Sequence, residues 1–302
     1  MTNSAQVAVS EELFAPVSRE VELCYQTFGD SKNEPLLLVM GLAGPMTWWH
    51  PDFCELLASK GFFVIRYDNR DMGRSTKMKA RVTRAQLVAA FLGKRTGAPY
   101  SMSDLASDAV GLLDHLGLDR AHVFGTSMGG MIAQTMAIEH PQRVASLTSL
   151  MSTTGRRSVG WQDPALLRHL IARRQNTREA YVDTSAAFWQ LIASPDYPEP
   201  MDSVRERAGQ TFDRGISRSG IMRQMLAVIT QPNRTLALRS LRMPVLVIHG
   251  LQDRMVHVSG GRATSTAIQG SELLLIDGMG HDLPRDLWPT FAEAIRRNAD
   301  RS

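Results

Sequence analysis

His122-Val123-Phe124-Gly125-Thr126-Ser127-Met128-Gly129-Gly130 is a short apolar run that passes through glycines into a helical pattern from Met128 to Glu139. Glycines flank the serine because a turn between a buried strand and a helix is too tight for side chains on both sides. A serine so placed projects from the carboxyl ends of the strands, where open α/β sheets bind ligands. The G-x-S-x-G pattern alone is weak, since a chain with 23 glycines can produce it by chance. Its surroundings have to carry the reading.

Working outward, short apolar runs alternate with helical patterns, as in a mostly parallel sheet with helices on both faces. Val21, Leu23 and Tyr25 alternate like an antiparallel lead-in strand. Continuous runs follow at Leu36–Met40, Phe62–Ile65, His122–Phe124, Ala145–Leu150, Val245–Ile248 and Leu273–Ile276, each expected to be a strand buried on both faces. Ser101-Met102-Ser103-Asp104 reads as a capping box, with Leu105, Val110, Leu112 and Leu113 as the apolar face behind it. Trp288 to Ile295 reads as a closing helix.

Between Ser152 and Arg242 the strand–helix rhythm is lost. Helical patterns remain, with Leu166, Leu167, Leu170 and Ile171 on one segment and Met222, Met225, Leu226 and Ile229 on another. The expected organisation is a core of residues 1–151 and 242–302, interrupted by a helical cap at 152–241.

Composition narrows the class. The chain is 43% hydrophobic and 21% charged, the balance of a globular protein rather than a disordered or membrane-embedded one. No apolar stretch is long enough to span a bilayer, and the first residues hold acids and no apolar signal core, so a cytoplasmic location is expected. Cys24 and Cys54 are too few for a disulfide framework or a metal cage and read as buried small apolar residues. The net charge is +4, but Thr76 to Ala98 alone carries six cations (Lys77, Lys79, Arg81, Arg84, Lys94 and Arg95) and no acid. No nucleic-acid signature accompanies the excess, so a nucleic-acid partner is not expected.

Two further loops supply partners for Ser127. Val245–Ile248 runs into His249-Gly250-Leu251-Gln252-Asp253, placing Asp253 beyond a strand's carboxyl end. The rival position after Ala145–Leu150 reads Met151-Ser152-Thr153-Thr154-Gly155 and offers no carboxylate. Leu273–Ile276 is followed by Asp277-Gly278-Met279-Gly280-His281, where glycines let the loop reach back over the sheet. His281 can then present one ring nitrogen to Ser127 and the other to Asp253. Among the competing histidines, His115, His122, His140 and His169 fall in or at the ends of regular elements, and His50 and His257 lack the placement. His249 reads as a strand-end hydrogen-bonding residue. After the first long strand, Met40-Gly41-Leu42-Ala43-Gly44-Pro45 can bring backbone to a developing oxyanion, with Leu42 N–H as one donor and Met128 N–H as the other.

The order Ser127, Asp253, His281, the elbow Gly125 to Gly130 and the loop Arg66-Tyr67-Asp68-Asn69-Arg70-Asp71-Met72-Gly73-Arg74-Ser75 resemble the α/β-hydrolase superfamily of serine esterases. Within it the chain is similar to actinobacterial lipase/esterase-like hydrolases and aclacinomycin methylesterases, from about Val21 to Arg297 and least in the cap. The resemblance implies an α/β fold with a mostly parallel eight-stranded sheet and a helical cap. Many members open the oxyanion loop with His-Gly where this chain has Met40-Gly41; donors from the backbone survive that change. The Asp68–Ser75 loop reads as a brace, with Asp68, Arg70 and Asp71 pairing with backbone and with each other.

The groups imply acyl transfer without a metal or organic cofactor: Ser127 as nucleophile, His281 as base, Asp253 as the acid that orients it. The expected partner is a small-molecule ester, fairly large and apolar, such as a natural-product methyl ester, a macrolide-type lactone or a lipid-like ester. Met40, Trp189, Met222 and Met225 are candidate pocket residues, since flexible methionines adapt to bulky ligands. The same triad could serve a thioesterase, a C–C hydrolase or a cofactor-free perhydrolase, and an intact scaffold could serve as a ligand receptor. The basic segment, with Leu87, Val88, Phe91 and Leu92 at helical spacing, could rest on an anionic membrane. A flap beside the pocket mouth is the reading preferred from sequence.

Overall fold

The computed structural model describes residues 7–166 and 177–302. Eight strands form one sheet: β1 (Leu13–Pro16), β2 (Glu22–Phe28), β3 (Glu34–Val39), β4 (Phe62–Tyr67), β5 (Ala121–Thr126), β6 (Val144–Leu150), β7 (Val245–Gly250) and β8 (Glu272–Ile276). Their spatial order is β1-β2-β4-β3-β5-β6-β7-β8; the β1–β2 and β2–β4 pairings are antiparallel and the other five parallel. β1, which no run in the sequence marks, pairs on one side only, with β2, and three of its four residues are exposed. An edge strand of that kind carries no apolar run to announce it.

The central strands are buried on both faces, and their side chains alternate between two cores. Leu37, Val39, Val123 and Val247 face one layer, which holds the helices Met102–His115 and Met128–Glu139. Leu36, Leu38, Phe124 and Ile248 face the other, with the helices Pro51–Ser59 and Trp288–Ala299. β8 departs from the expectation of two buried faces: only Ile276 is buried, and Leu273 reaches solvent. It is the last strand of the sheet and pairs only with β7. The capping box is present, with Ser101 Oγ accepting the Asp104 N–H at the start of Met102–His115.

β3 lies between β4 and β5, so the chain leaves β3 toward one neighbour and returns on its other side. That reversal opens a crevice at the carboxyl ends of β3 and β5, the position where doubly wound sheets take their ligands.

Between β6 and β7 the described residues hold three α-helices, Arg178–Ile192, Met201–Asp213 and Arg218–Thr230, and no strand. Leu166 is buried there, whereas Leu167, Leu170, Ile171 and His169 lie outside the described residues. Arg178–Ile192 and Met201–Asp213 pack through Tyr181, Val182 and Ala208. Arg218–Thr230 packs Leu226, Met222 and Ile229 against Ala90 and Leu87 of a short helix, Arg84–Phe91, inside the basic segment. Thr83 caps that helix through Gln86 in a reciprocal pair of bonds.

The Asp68–Ser75 loop is a brace, but its charged side chains do not pair with each other. Arg70 binds Asp108 through two bonds of 2.6 and 2.7 Å. Asp71 takes Arg223 at 2.6 and 2.8 Å and the Tyr100 hydroxyl at 2.8 Å. Asp68 accepts the Met46 and Arg74 N–H groups and the Arg214 guanidinium. Arg214 and Arg223 come from the segment between β6 and β7, so buried charge joins it to the core. A guanidinium matches a carboxylate bidentately, whereas neighbouring side chains on one turn cannot all face one another.

Candidate active site

β5 delivers its chain end into the crevice, and Ser127 turns it into the helix Met128–Glu139 with φ 55° and ψ −118°. A non-glycine residue held there stores strain, so the surroundings must over-determine it. They do so from both sides: Ser127 N–H donates to Leu150 O at 2.9 Å, and Ser127 O accepts the Ser152 hydroxyl at 2.8 Å. The helix that follows lies so close to β3 that a Cβ on Gly129 would sit 1.9 Å from Val39 O. Only glycine admits that approach.

His281 reaches the serine from the loop after β8. Its Nε2 stands 3.0 Å from Ser127 Oγ and its Nδ1 2.8 Å from Asp253 Oδ2. A carboxylate only accepts, so Nδ1 carries the proton and Nε2 is left to accept from the serine hydroxyl. Asp253 Oδ1 takes the Met255 and Val256 N–H groups at 2.9 and 2.8 Å. Burial would raise the Asp253 carboxyl, but His281 and His249 outweigh it and hold the group at about 2. Asp253 is therefore an anion throughout the physiological range.

His249 does more than sequence reasoning assigned to it. Its Nε2 lies 2.8 Å from Val256 O and 3.3 Å from Asp253 Oδ2. The carbonyl fixes that nitrogen as a donor, so His249 shores the carboxylate from below. Its position four residues before Asp253 was visible in the chain; the fold that turns it inward was not.

Gly41, Leu42 and Met128 line the cleft beside Ser127, and a Cβ on Gly41 would lie 3.2 Å from Ser127 Cβ. Met128 N–H opens its helix, where no intrahelical acceptor exists and the helix dipole is positive. The Met40–Pro45 loop is held from two directions. Asn69 Nδ2 donates to Met40 O at 2.9 Å, and Ala43 N–H donates to Gln224 Oε1 at 3.2 Å. Gln224 is 181 residues from Ala43, and no sequence signal links them.

The cleft above Ser127 has a volume of about 2810 Å³. Met40, Trp189, Met222 and Met225 all line it, together with Trp48 and Phe188. Leu226 does not; it is wholly buried against Val82 and Ala90. Trp48 and Trp189 meet edge to face at 5.8 Å, and the Arg207 guanidinium lies 4.4 Å over the Trp189 ring. Thr126 Oγ1, Trp189 Nε1 and Arg207 Nη2 are buried polar atoms on cleft residues with no hydrogen-bond partner among the described residues. No group of three or more His, Cys, Asp or Glu side chains among those residues could hold a metal ion, and no helix there is long and apolar enough to cross a membrane.

A parallel sheet with this crevice, and a serine elbow facing a histidine loop, define a class. The chain belongs to the α/β-hydrolase fold family, which its residues 34–284 match. Among its relatives is the rhodomycin D methylesterase DauP of Streptomyces sp. (strain C5), 30% identical over 91% of this chain and 94% of that protein. The rhodomycin D methylesterase DnrP of Streptomyces peucetius is 29% identical with the same coverage. Among solved structures, the enol-lactonase from Burkholderia xenovorans LB400 matches with a TM-score of 0.75, covering 95% of this chain and 100% of that one. At 22% identity that likeness is one of fold.

Proposed function

We propose that this chain hydrolyses a bulky, largely apolar carboxylic ester through an acyl-enzyme on Ser127. The relatives and the family together support an enzyme acting on ester bonds. The observation that carries the finer reading is His281, which stands within hydrogen-bond distance of both Ser127 Oγ and Asp253 at the floor of the cleft. His281 Nε2 takes the serine proton as Oγ attacks the carbonyl carbon. Leu42 and Met128 N–H groups hold the oxyanion, and the imidazolium returns the proton to the departing alcohol. Water then enters, gives its proton to the same nitrogen and releases the acid. Asp253 stays ionised throughout.

Residues 152–241 act in this reading as a cap that sets substrate size. The cleft exceeds the roughly 300–1,000 Å³ of ordinary small-molecule pockets, and flat aromatic walls suit a fused-ring substrate. The two methylesterase relatives favour the methyl ester of such a compound over a lactone or a lipid ester.

The test is a panel on purified protein: methyl esters of fused-ring acids, macrocyclic lactones, and short and long acyl esters. The expected result is highest kcat/KM for the fused-ring methyl esters, with equal release of methanol and acid and one solvent oxygen in the acid. Failure to hydrolyse any ester in the panel would overturn the reading.

A further inference from the structure

The helix Arg84–Phe91 has two faces. Leu87 and Ala90 pack against Leu226 and Met222. Arg84, Val88 and Phe91 follow the i, i+4, i+7 spacing of the adjoining stripe, turned away from that contact, and Leu92 extends it. Val88 is 56%, Phe91 52% and Leu92 68% exposed, so three large apolar side chains stand together in water. Such grouping, unlike scattered exposure, marks an interaction surface. Arg84, Lys94 and Arg95 lie among them on the same rim of the cleft, all three exposed and without a carboxylate partner among the described residues. Trp161, which also lines the cleft and is 49% exposed, stacks on His257 at 4.1 Å. The helix's last carbonyls, Ala90 O and Phe91 O, are both taken by the Arg157 guanidinium. That end can therefore leave bulk water without stranding backbone acceptors.

We propose that this rim docks on an anionic phospholipid surface. Val88, Phe91 and Leu92 enter the boundary between headgroups and acyl chains, and Arg84, Lys94 and Arg95 take the headgroup phosphates. Apolar side chains ringed by long, unpaired cations are the pattern of interfacial attachment. The charge complementarity points to lipid: no acid lies between Thr76 and Ala98 to pair with a basic partner. Because these residues line the mouth of the cleft, docking opens it toward the membrane, where apolar esters concentrate. The proposal goes beyond the Ser127 chemistry and does not depend on it.

The test is co-sedimentation of the full chain with vesicles of phosphatidylcholine alone and of phosphatidylcholine mixed with phosphatidylglycerol. Binding to the mixed vesicles is expected, falling by about tenfold or more in high salt or in K94E/R95E. F91S/L92S should weaken the same binding at an unchanged thermal midpoint, and S127A should bind like the wild type. Equal binding to both vesicle types, or to neither, overturns the proposal. So does a dimer in size-exclusion chromatography that F91S/L92S dissociates, because a second copy then covers the patch. So too does a rise in KM for a soluble anionic ester in K94E/R95E without any vesicle binding, because the cations then serve substrate.

Discussion

Asp282, the residue after His281, holds Ser194 twice: one carboxylate oxygen accepts the Ser194 N–H at 3.0 Å and the other its hydroxyl. Ser194 Oγ in turn accepts the Gly280 N–H at 2.9 Å, and His281 N–H donates to Ile192 O at 2.7 Å. Ile192 ends the helix Arg178–Ile192, so the histidine loop hangs from that helix rather than from the sheet alone. Burial pushes the Asp282 carboxyl above the ordinary range despite the two Ser194 bonds.

Ser194→Ala should therefore loosen His281 without touching the substrate. A displacement of about 1 Å costs on the order of a hundredfold in rate, so kcat should fall by roughly ten- to a hundredfold with KM little changed. Ser194→Thr, which keeps the hydroxyl, should recover most of the loss. A parallel change in KM, or no recovery with threonine, would assign Ser194 to general stability.

Ser127→Ala should lower turnover by roughly a million-fold and abolish labelling by a fluorophosphonate. Labelling that survived on the variant would move the nucleophile elsewhere.

Asp253→Asn should fold and lose about ten-thousand-fold in kcat, because the amide favours the wrong imidazole tautomer. The carboxyl is held at about 2 in the folded chain, below its unfolded value. Its stabilisation is thus present at neutral pH and lost as pH falls from about 4 through about 2. Urea midpoints measured from pH 6 down to pH 3 should drop more steeply for the wild type than for Asp253→Asn. Equal slopes would mean that the carboxyl is not held down.

Trp189→Ala and Met225→Ala should reduce kcat/KM strongly for a bulky ester and little for an acetate ester. Contacts remote from the acyl carbon act on selectivity more than on chemistry. A uniform loss on both substrates, at an unchanged thermal midpoint, would count against a cap that selects by size.

Arg223 and Asp71 are at most 1% exposed in their side chains and bind bidentately. Arg223→Met leaves Asp71 buried without its cation and should cost about 3–5 kcal/mol of stability. Arg223→Met with Asp71→Leu should recover part of it. Thermal and urea unfolding of the three proteins check the order.

The chain by itself determined the sheet's long strands, the helices packed on it and the loops from which Ser127, Asp253 and His281 project. Those features are written locally: an apolar run, a glycine turn and a polar residue just beyond a strand are neighbours in sequence. Ser127 lies 154 residues from His281, yet each is legible on its own because each follows its own strand. Tertiary structure alone decided that β8 is an edge, that β1 exists, and that Arg214 and Arg223 rather than neighbouring residues satisfy Asp68 and Asp71. It also decided that Gln224 holds the Met40–Pro45 loop and Ser194 the histidine loop. A charged or polar side chain reads the same in sequence whether solvated or buried against a partner; only folding brings that partner within hydrogen-bond distance.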